Sequence, residues 1–193
     1  MNTRFLLVGT IVCAVALFVW QSVSNAALPW HRATMSEFQN DSATVQAIRA
    51  AAPANGVYTS MRGVVAAVAI RPDFGSREVE MPAMLGRQFA LDLVVSLVLC
   101  FVVMRLPAAS ATATGVTLGL AALAVSGIQS FSDWIWYGFT FPYAAVNAID
   151  LAINGLVAGL VLGALLARER ARGEPGVRAP AGVGVSAGDM ARK

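Results

Sequence analysis

The chain has 193 residues, of which 57% are hydrophobic and only 13% charged, and its formal net charge is +3. This composition indicates a membrane protein and excludes an ordinary soluble domain. No basic patch is interleaved with aromatic residues, which excludes a nucleic-acid-binding surface. The two cysteines, Cys13 and Cys100, lie in apolar segments without CxxC or metal-ligand spacing, so we expect them to be buried packing thiols.

Residues 1–24 contain the first apolar run, which extends from Phe5 to Trp20. The run is either a retained transmembrane helix or a signal peptide cleaved after Ala26. Retention is favoured because the run continues as far as Val23 and only one arginine, Arg4, precedes it. In either case the following segment lies outside the cell membrane.

Residues 25–87 are polar and are predicted to fold as a small extracytoplasmic α+β cap. Thr34 and Glu37 have the spacing of a capping box, which predicts a helix running to about Ala52. Three short strands are predicted after that helix: Val57–Met61, Val64–Ile70 and Arg77–Met81. A unit of this size is near the lower limit for independent folding, so we expect its stability to depend on contact with the membrane or with a partner.

Three further apolar segments are long enough to cross a bilayer, which takes about 20 residues. They are the predicted transmembrane helices 2, 3 and 4, at residues 88–106, 110–129 and 144–167. An aromatic external loop, 130–143, joins the last two, and residues 168–193 form a basic, disordered cytoplasmic tail. The predicted fold is therefore a membrane all-α protein, an up-down four-helix transmembrane bundle with an α+β cap between helices 1 and 2.

Arginines near the ends of the spans predict the orientation. Arg4, Arg105 and the cluster that begins at Arg168 fall on one side, whereas the aromatic loop has no basic residue. The positive-inside rule then places both termini in the cytoplasm and the cap in the periplasm. We expect a multi-pass protein of the bacterial cytoplasmic (inner) membrane.

Small residues recur at helical spacing on the third and fourth predicted helices. They are Gly115 and Gly119 on the third, and Gly155, Gly159 and Gly163 on the fourth. Such small-xxx-small patterns allow two helices to approach closely. The pattern leaves open whether the contact lies within one chain or between protomers.

The strongest candidate site is a polar intramembrane cluster. Asp92 and Asp150 are expected at comparable depth in the outer leaflet, with Gln88 near the first and Asn147 and Asn154 flanking the second. A buried carboxylate is costly, so each should face the bundle interior or a wet pocket. The cluster is either a protonatable or cation-binding pocket or an interhelical hydrogen-bond cluster. The second interpretation is slightly favoured, because nothing in the sequence shows that the pocket is accessible.

Four residues outside the spans are external candidates: His31, Asp133, Trp134 and Trp136. A single histidine beside a tryptophan is more often a hydrogen-bonded structural residue than a metal ligand. The aromatic residues are more often interfacial anchors than a docking platform. No metal site and no cofactor is predicted.

Catalytic signatures such as GxSxG, HExxH and a P-loop are absent, so we do not expect an enzyme. The leading interpretation is a non-enzymatic accessory or scaffold subunit in the lipid bilayer, binding another membrane protein, a periplasmic component or a second copy of itself. The alternative is a component that binds or transports a small molecule, a proton or a cation through Asp92 and Asp150.

A loose pattern links Pro29-Trp30-His31, Phe38, Gly56-Val57-Tyr58, a Trp-rich loop and a Gly-rich final helix. It is similar to bacterial four-span membrane proteins that have no assigned function. The resemblance therefore implies the four-span architecture and no activity.

Overall fold

Four helices that are long and apolar enough to cross a membrane dominate the part of the chain that the structure describes. The structure is a computed structural model, and it describes residues 3–52, 54, 56–60, 64–68, 77–107 and 109–173. The candidate spans are Thr3–Ala27, Met81–Arg105, Ala111–Tyr137 and Phe141–Arg172. The prediction of a helical multi-pass membrane protein is confirmed at this level.

The described elements are, in chain order, helices α1 (Thr3–Ser22), α2 (Trp30–Ala33) and α3 (Asp41–Ala51), strands β1 (Gly56–Ser60) and β2 (Val64–Val68), and helices α4 (Arg77–Arg105), α5 (Ala111–Tyr137) and α6 (Phe141–Gly173). A π-helical turn, Val23–Ala27, extends α1. α5 begins behind Ser110, whose hydroxyl accepts a hydrogen bond from the Ala113 N–H. It ends at Gly138, whose φ of 73° favours glycine.

The spanning helices pack as two pairs that α6 joins. α1 packs against α4, α5 packs against α6, and α6 also contacts α1 and, less extensively, α4. α5 makes at most marginal contact with α1 and α4. The core lies mainly where α1, α4 and α6 meet, and it includes Phe5 and Leu162. Cys13 and Cys100 are free thiols that are fully buried in this core, as expected of packing thiols.

The predicted helix start at Thr34 is wrong. The Thr34 hydroxyl donates a hydrogen bond back to the His31 carbonyl at 2.8 Å, so it caps the end of α2 instead of opening a new helix. α3 begins at Asp41, after Asn40, whose side-chain oxygen accepts a hydrogen bond from the Ala43 N–H at 3.1 Å. Asn40 is a favourable N-cap residue that the capping-box pattern did not single out.

The structure does not support a compact α+β cap. α3 buries none of its residues, because Val45 and Ile48 are its only large apolar side chains and they find little to pack against. β1 and β2 form an antiparallel pair in which Gly56 faces Val68 and Ser60 faces Val64, and in the described residues they pack substantially only on each other. The segment Arg77–Met81, predicted as a third strand, is the start of α4, since it consists mainly of good helix formers.

Two other boundaries differ from the prediction. The aromatic loop is shorter than predicted and consists of residues 138–140, because apolar residues continue α5 as far as Tyr137 and α6 begins at Phe141. The start of the predicted disordered tail is helical, since α6 continues through Gly173 and an Arg172–Glu169 ion pair of 3.0 Å supports its last turns. Residues 69–76, which include the end of the predicted second strand, and residues 174–193 lie outside the described residues.

Candidate functional site

Two polar networks lie at one end of the spanning helices, which we call the aspartate end. The Asp92 network consists of Gln21, Gln88, Asp92 and Ser96. The Asp150 network consists of Trp20, Ser24, Trp30, His31 and Asp150. At the opposite end, Arg4 lies 3.7 Å from Glu169, which places the start of α1 beside the end of α6. Both networks therefore gather around the last turns of α1.

In the Asp92 network, two glutamine side chains hold one oxygen of the carboxyl group. Gln88 Nε2 donates to Asp92 Oδ1 at 3.0 Å, and Gln21 Nε2 donates to the same oxygen at 3.2 Å. Gln88 Nε2 also donates to Gln21 Oε1 at 2.9 Å, which closes the ring. These contacts tie α4 to α1 close to the aspartate end.

The other side of the same carboxyl group has no partner. Asp92 is only 2% exposed, and its Oδ2 atom has no hydrogen bond in the described structure. Ser96 is fully buried one turn deeper. Its hydroxyl oxygen has no hydrogen bond of ordinary geometry, and its polar neighbour on α1 is the Cys13 thiol. An aspartate at the centre of a membrane helix costs about 3 kcal/mol even on the lenient insertion scale, so a bare charged oxygen here is unfavourable.

The Asp92 network is part of a longer row of polar residues along one face of α4. Gln88, Asp92, Ser96 and Cys100 recur at steps of four residues, so they share one helix face. This face is turned towards α1. Asp92 contacts Gln21 of α1, and Cys100 Sγ lies 3.8 Å from Thr10 Oγ1 of the same helix. The spacing of Ser96 was a signal in the sequence that pattern reading missed.

In the Asp150 network, both carboxylate oxygens have partners. Trp20 Nε1 donates to Asp150 Oδ1 at 2.9 Å, and His31 Nε2 lies 3.1 Å from Asp150 Oδ2. The side chains of His31 and Asp150 are 14% and 15% exposed, so the pair is largely shielded from solvent. The network joins α6 to α1 and to the short helix α2.

Ser24 completes this network from the π-helical turn. Its hydroxyl lies 3.2 Å from His31 Nε2 and accepts a hydrogen bond from Trp30 Nε1 at 3.1 Å. Trp30 Nε1 also lies 3.2 Å from the Ser24 carbonyl oxygen, and Ser24 is fully buried. Trp20, Gln21 and Ser24 were not among the predicted site residues, because no local pattern signals a π turn or a contact with a distant helix.

Ser24, His31 and Asp150 have the residue types of a serine-hydrolase triad but not its geometry. In a triad the serine and the aspartate engage different ring nitrogens, so that the ring relays their effects. Here Ser24 Oγ and Asp150 Oδ2 both contact Nε2. The arrangement is a hydrogen-bond network that links α1 and its π-helical turn to α2 and α6.

The other predicted site residues lie apart from these networks. Asn147 donates to the Tyr143 carbonyl at 2.9 Å within α6, and the Asn154 side-chain oxygen is buried without a hydrogen-bond partner among the described residues. Asp133 accepts hydrogen bonds from Gln129, and Trp134 and Trp136 are exposed. No group of three or more His, Cys, Asp and Glu side chains forms a metal-binding cluster in the described part of the chain.

The two glycine stripes face each other across the α5–α6 interface. A Cβ atom at Gly155 would lie 2.6 Å from the Leu118 carbonyl oxygen, and one at Gly159 would lie 2.6 Å from Gly115 Cα. Cβ atoms at Gly163 and Gly119 would also be crowded, at 2.9 Å from Ala111 Cα and 3.3 Å from the Ala152 carbonyl oxygen, respectively. The close contact that the pattern predicted therefore lies within one chain.

Comparison of the chain with protein-family models, with curated proteins and with solved structures finds no match. The geometry of the two networks and of the segment between α1 and α4 is therefore the basis for inferring a function.

Proposed function

We propose that the protein is a non-enzymatic accessory or scaffold subunit that binds another membrane or periplasmic component through the segment between α1 and α4. The observation that carries this proposal is that α3 and the residues before it carry exposed apolar side chains outside the spans. Met35 is 62% and Phe38 60% exposed, and no residue of α3 is buried. Apolar groups that the described residues leave exposed favour a partner surface.

The proposal includes a location. Arg105 at the C-terminal end of α4, the arginines at the C-terminal end of α6 and Arg4 lie at the same end of the helices. They favour the cytoplasmic side of a bacterial inner membrane for that end. The aspartate end and the segment between α1 and α4 then face the periplasm. A partner would accordingly be a periplasmic protein or the periplasmic part of a membrane protein.

The glycine stripes do not contribute to this proposal. Because Gly155 and Gly159 are covered by α5 of the same chain, they are not available to a second protein. Bulky substitutions there would disrupt the chain itself, and they would not report on association.

The test compares two double variants of the full chain, isolated from the native membrane in mild detergent. Phe38→Ser/Val45→Ser removes exposed apolar groups, and Gln39→Ser/Gln46→Ser is the matched polar control. We expect a stoichiometric partner with the wild type and the control. We expect about tenfold less of it with the apolar variant, which corresponds to about 1.4 kcal/mol. Equal recovery in both variants, or a wild-type protein that elutes alone, would contradict the proposal.

A second candidate function is supported by the bare oxygen of Asp92. A buried carboxyl group with an unpartnered oxygen is a feature of sites that bind a proton or a cation inside a membrane. In this role the protein binds or transports a small molecule, a proton or a cation, using Asp92 with Asp150 nearby. In lipid vesicles, proton or sodium flux should fall in an Asp92→Asn/Asp150→Asn variant and persist in Asp133→Asn. Full flux in a folded double variant would rule this candidate out.

A further inference from the structure

The two oxygens of the Asp92 carboxyl group have opposite surroundings. Oδ1 accepts hydrogen bonds from two amide groups, those of Gln21 and Gln88. Oδ2 is buried without a donor, and the Ser96 hydroxyl, whose polar neighbour on α1 is the Cys13 thiol, lies one turn deeper on the same face. This is the pattern of a neutral carboxyl group, in which one oxygen accepts and the other carries hydrogen.

We propose that Asp92 is a proton-binding site inside the bilayer and that its Oδ2 atom carries the proton. The inference deepens the second candidate function, on which it depends for its biological use. Since neither Asp92 Oδ2 nor Ser96 Oγ has a direct hydrogen bond, Ser96 Oγ is the acceptor for this proton through one water molecule between the two oxygens. Binding is a simple protonation: the carboxylate takes a proton from water, and no other bond forms or breaks.

A proton fits this site better than a metal ion. The N–H groups of Gln21 and Gln88 point at Oδ1, and their partial positive charge repels a cation on that side. The other side offers only Asp92 Oδ2 and the Ser96 hydroxyl oxygen, whereas Mg²⁺ and Ca²⁺ require about six or more oxygen ligands. Among the described contacts, no arginine, lysine or histidine is paired with Asp92.

The titratable groups around Asp92 do not supply the missing positive charge. Cys13 on α1 lies close enough to interact electrostatically with Asp92 and with Cys100 of α4. On α6 the titratable group at the aspartate end is Asp150, which accepts a hydrogen bond from Trp20, the neighbour of Gln21. His31 on α2 faces Asp150 and is paired with it. Protonation of Asp92 itself is therefore the way in which the buried site becomes neutral.

The glutamine ring separates this site from solvent. Gln21 and Gln88 are partly exposed, whereas Asp92 is buried beneath them.

Infrared spectroscopy of the full chain in uncharged lipid nanodiscs tests the proposal. At about pH 7 exposed aspartates and glutamates are ionised, so a carbonyl stretch of a protonated carboxyl group identifies a buried neutral one. We expect this band in the wild type and in Asp150→Asn, its loss in Asp92→Asn, and a shift in its frequency in Ser96→Ala. A wild-type spectrum without the band, or a band that survives in Asp92→Asn, would overturn the proposal.

Thermal unfolding gives a second readout that does not depend on the band. Asparagine reproduces the neutral carboxyl group, because its oxygen accepts from the two glutamines and its NH₂ group donates towards Ser96. We expect the Tm of Asp92→Asn to stay within about 2 °C of the wild type and that of Asp92→Ala to fall further. A fall in Asp92→Asn as large as in Asp92→Ala would contradict a neutral Asp92.

The outcomes separate the proton site from the transport function. A band that depends on Asp92, together with unchanged ion flux in the Asp92→Asn variant, would support the proton site and rule out transport through it. Absence of the band would overturn the proton site and leave the accessory function standing.

Discussion

Asp92 and Asp150 are the same residue type in two spanning helices, but their hydrogen bonding differs. Trp20 and His31 bind the two oxygens of Asp150, so this carboxylate has a complete set of partners. Asp92 has partners on one oxygen only. Asp150 therefore acts as a tie between helices, whereas Asp92 keeps an unused oxygen.

At the residue scale, we predict that His31 and Asp150 stabilise the fold together. The two residues form a shielded pair of 3.1 Å, and neighbouring groups of this kind show a coupling of roughly 1 kcal/mol in double-mutant cycles. The measurement is the free energy of unfolding in detergent for His31→Ala, Asp150→Ala and the double variant. The control cycle pairs His31 with Asp133, which hydrogen-bonds to Gln129 instead, and should give no coupling. Additive effects of His31→Ala and Asp150→Ala would contradict the prediction.

Part of this site could be predicted from the sequence and part could not. Gln88 and Asp92 are one helical turn apart, so their contact follows from local spacing. The partners of Asp150 lie far away in the chain, and Ser24 faces inward from a π turn. A single sequence carries no information about which helix faces meet, so these contacts were missed.

At the element scale, the α5–α6 pair depends on residues that have no side chain. We predict that Gly159→Ala destabilises the protein, because the added Cβ atom would lie 2.6 Å from the Thr114 carbonyl oxygen. Overpacking of this kind costs about 1 to 3 kcal/mol. Gly127→Ala on α5 is the matched control, since nothing beyond its chain neighbours and its own helix backbone lies within 4 Å of its Cβ position, and it should be neutral. Thermal unfolding in detergent measures both, and equal melting temperatures would show that the interface tolerates a methyl group.

The spans were predictable as elements because apolar length is a property of the chain alone. Their ends were less predictable, as α5 and α6 show: helix continues through aromatic residues and through the first arginines after the apolar stretch. The prediction of a compact cap was wrong for another reason. Its helix and strands were inferred from local patterns, but a compact unit also needs apolar contacts between them, and α3 buries no residue.

At the scale of the whole molecule, the proposed orientation can be measured with single added cysteines. The native Cys13 and Cys100 are fully buried, so they should not react and need not be removed. We predict that Thr140→Cys, between α5 and α6, reacts with a membrane-impermeant maleimide added to spheroplasts. Ala109→Cys, between α4 and α5, should react only after the membrane is permeabilised. The reverse pattern would invert the topology.

Among the described spanning helices, α6 contacts each of the other three substantially, and it follows them in the chain. During synthesis, α5 enters the membrane while its main partner is still inside the ribosome. For that interval the glycine face of α5 is exposed to lipid. Trp20 and His31 lack their hydrogen-bond partner Asp150, which lies on α6. The α1–α4 pair can form before α6 is made, but the contacts among all four spanning helices are complete only after α6 has inserted.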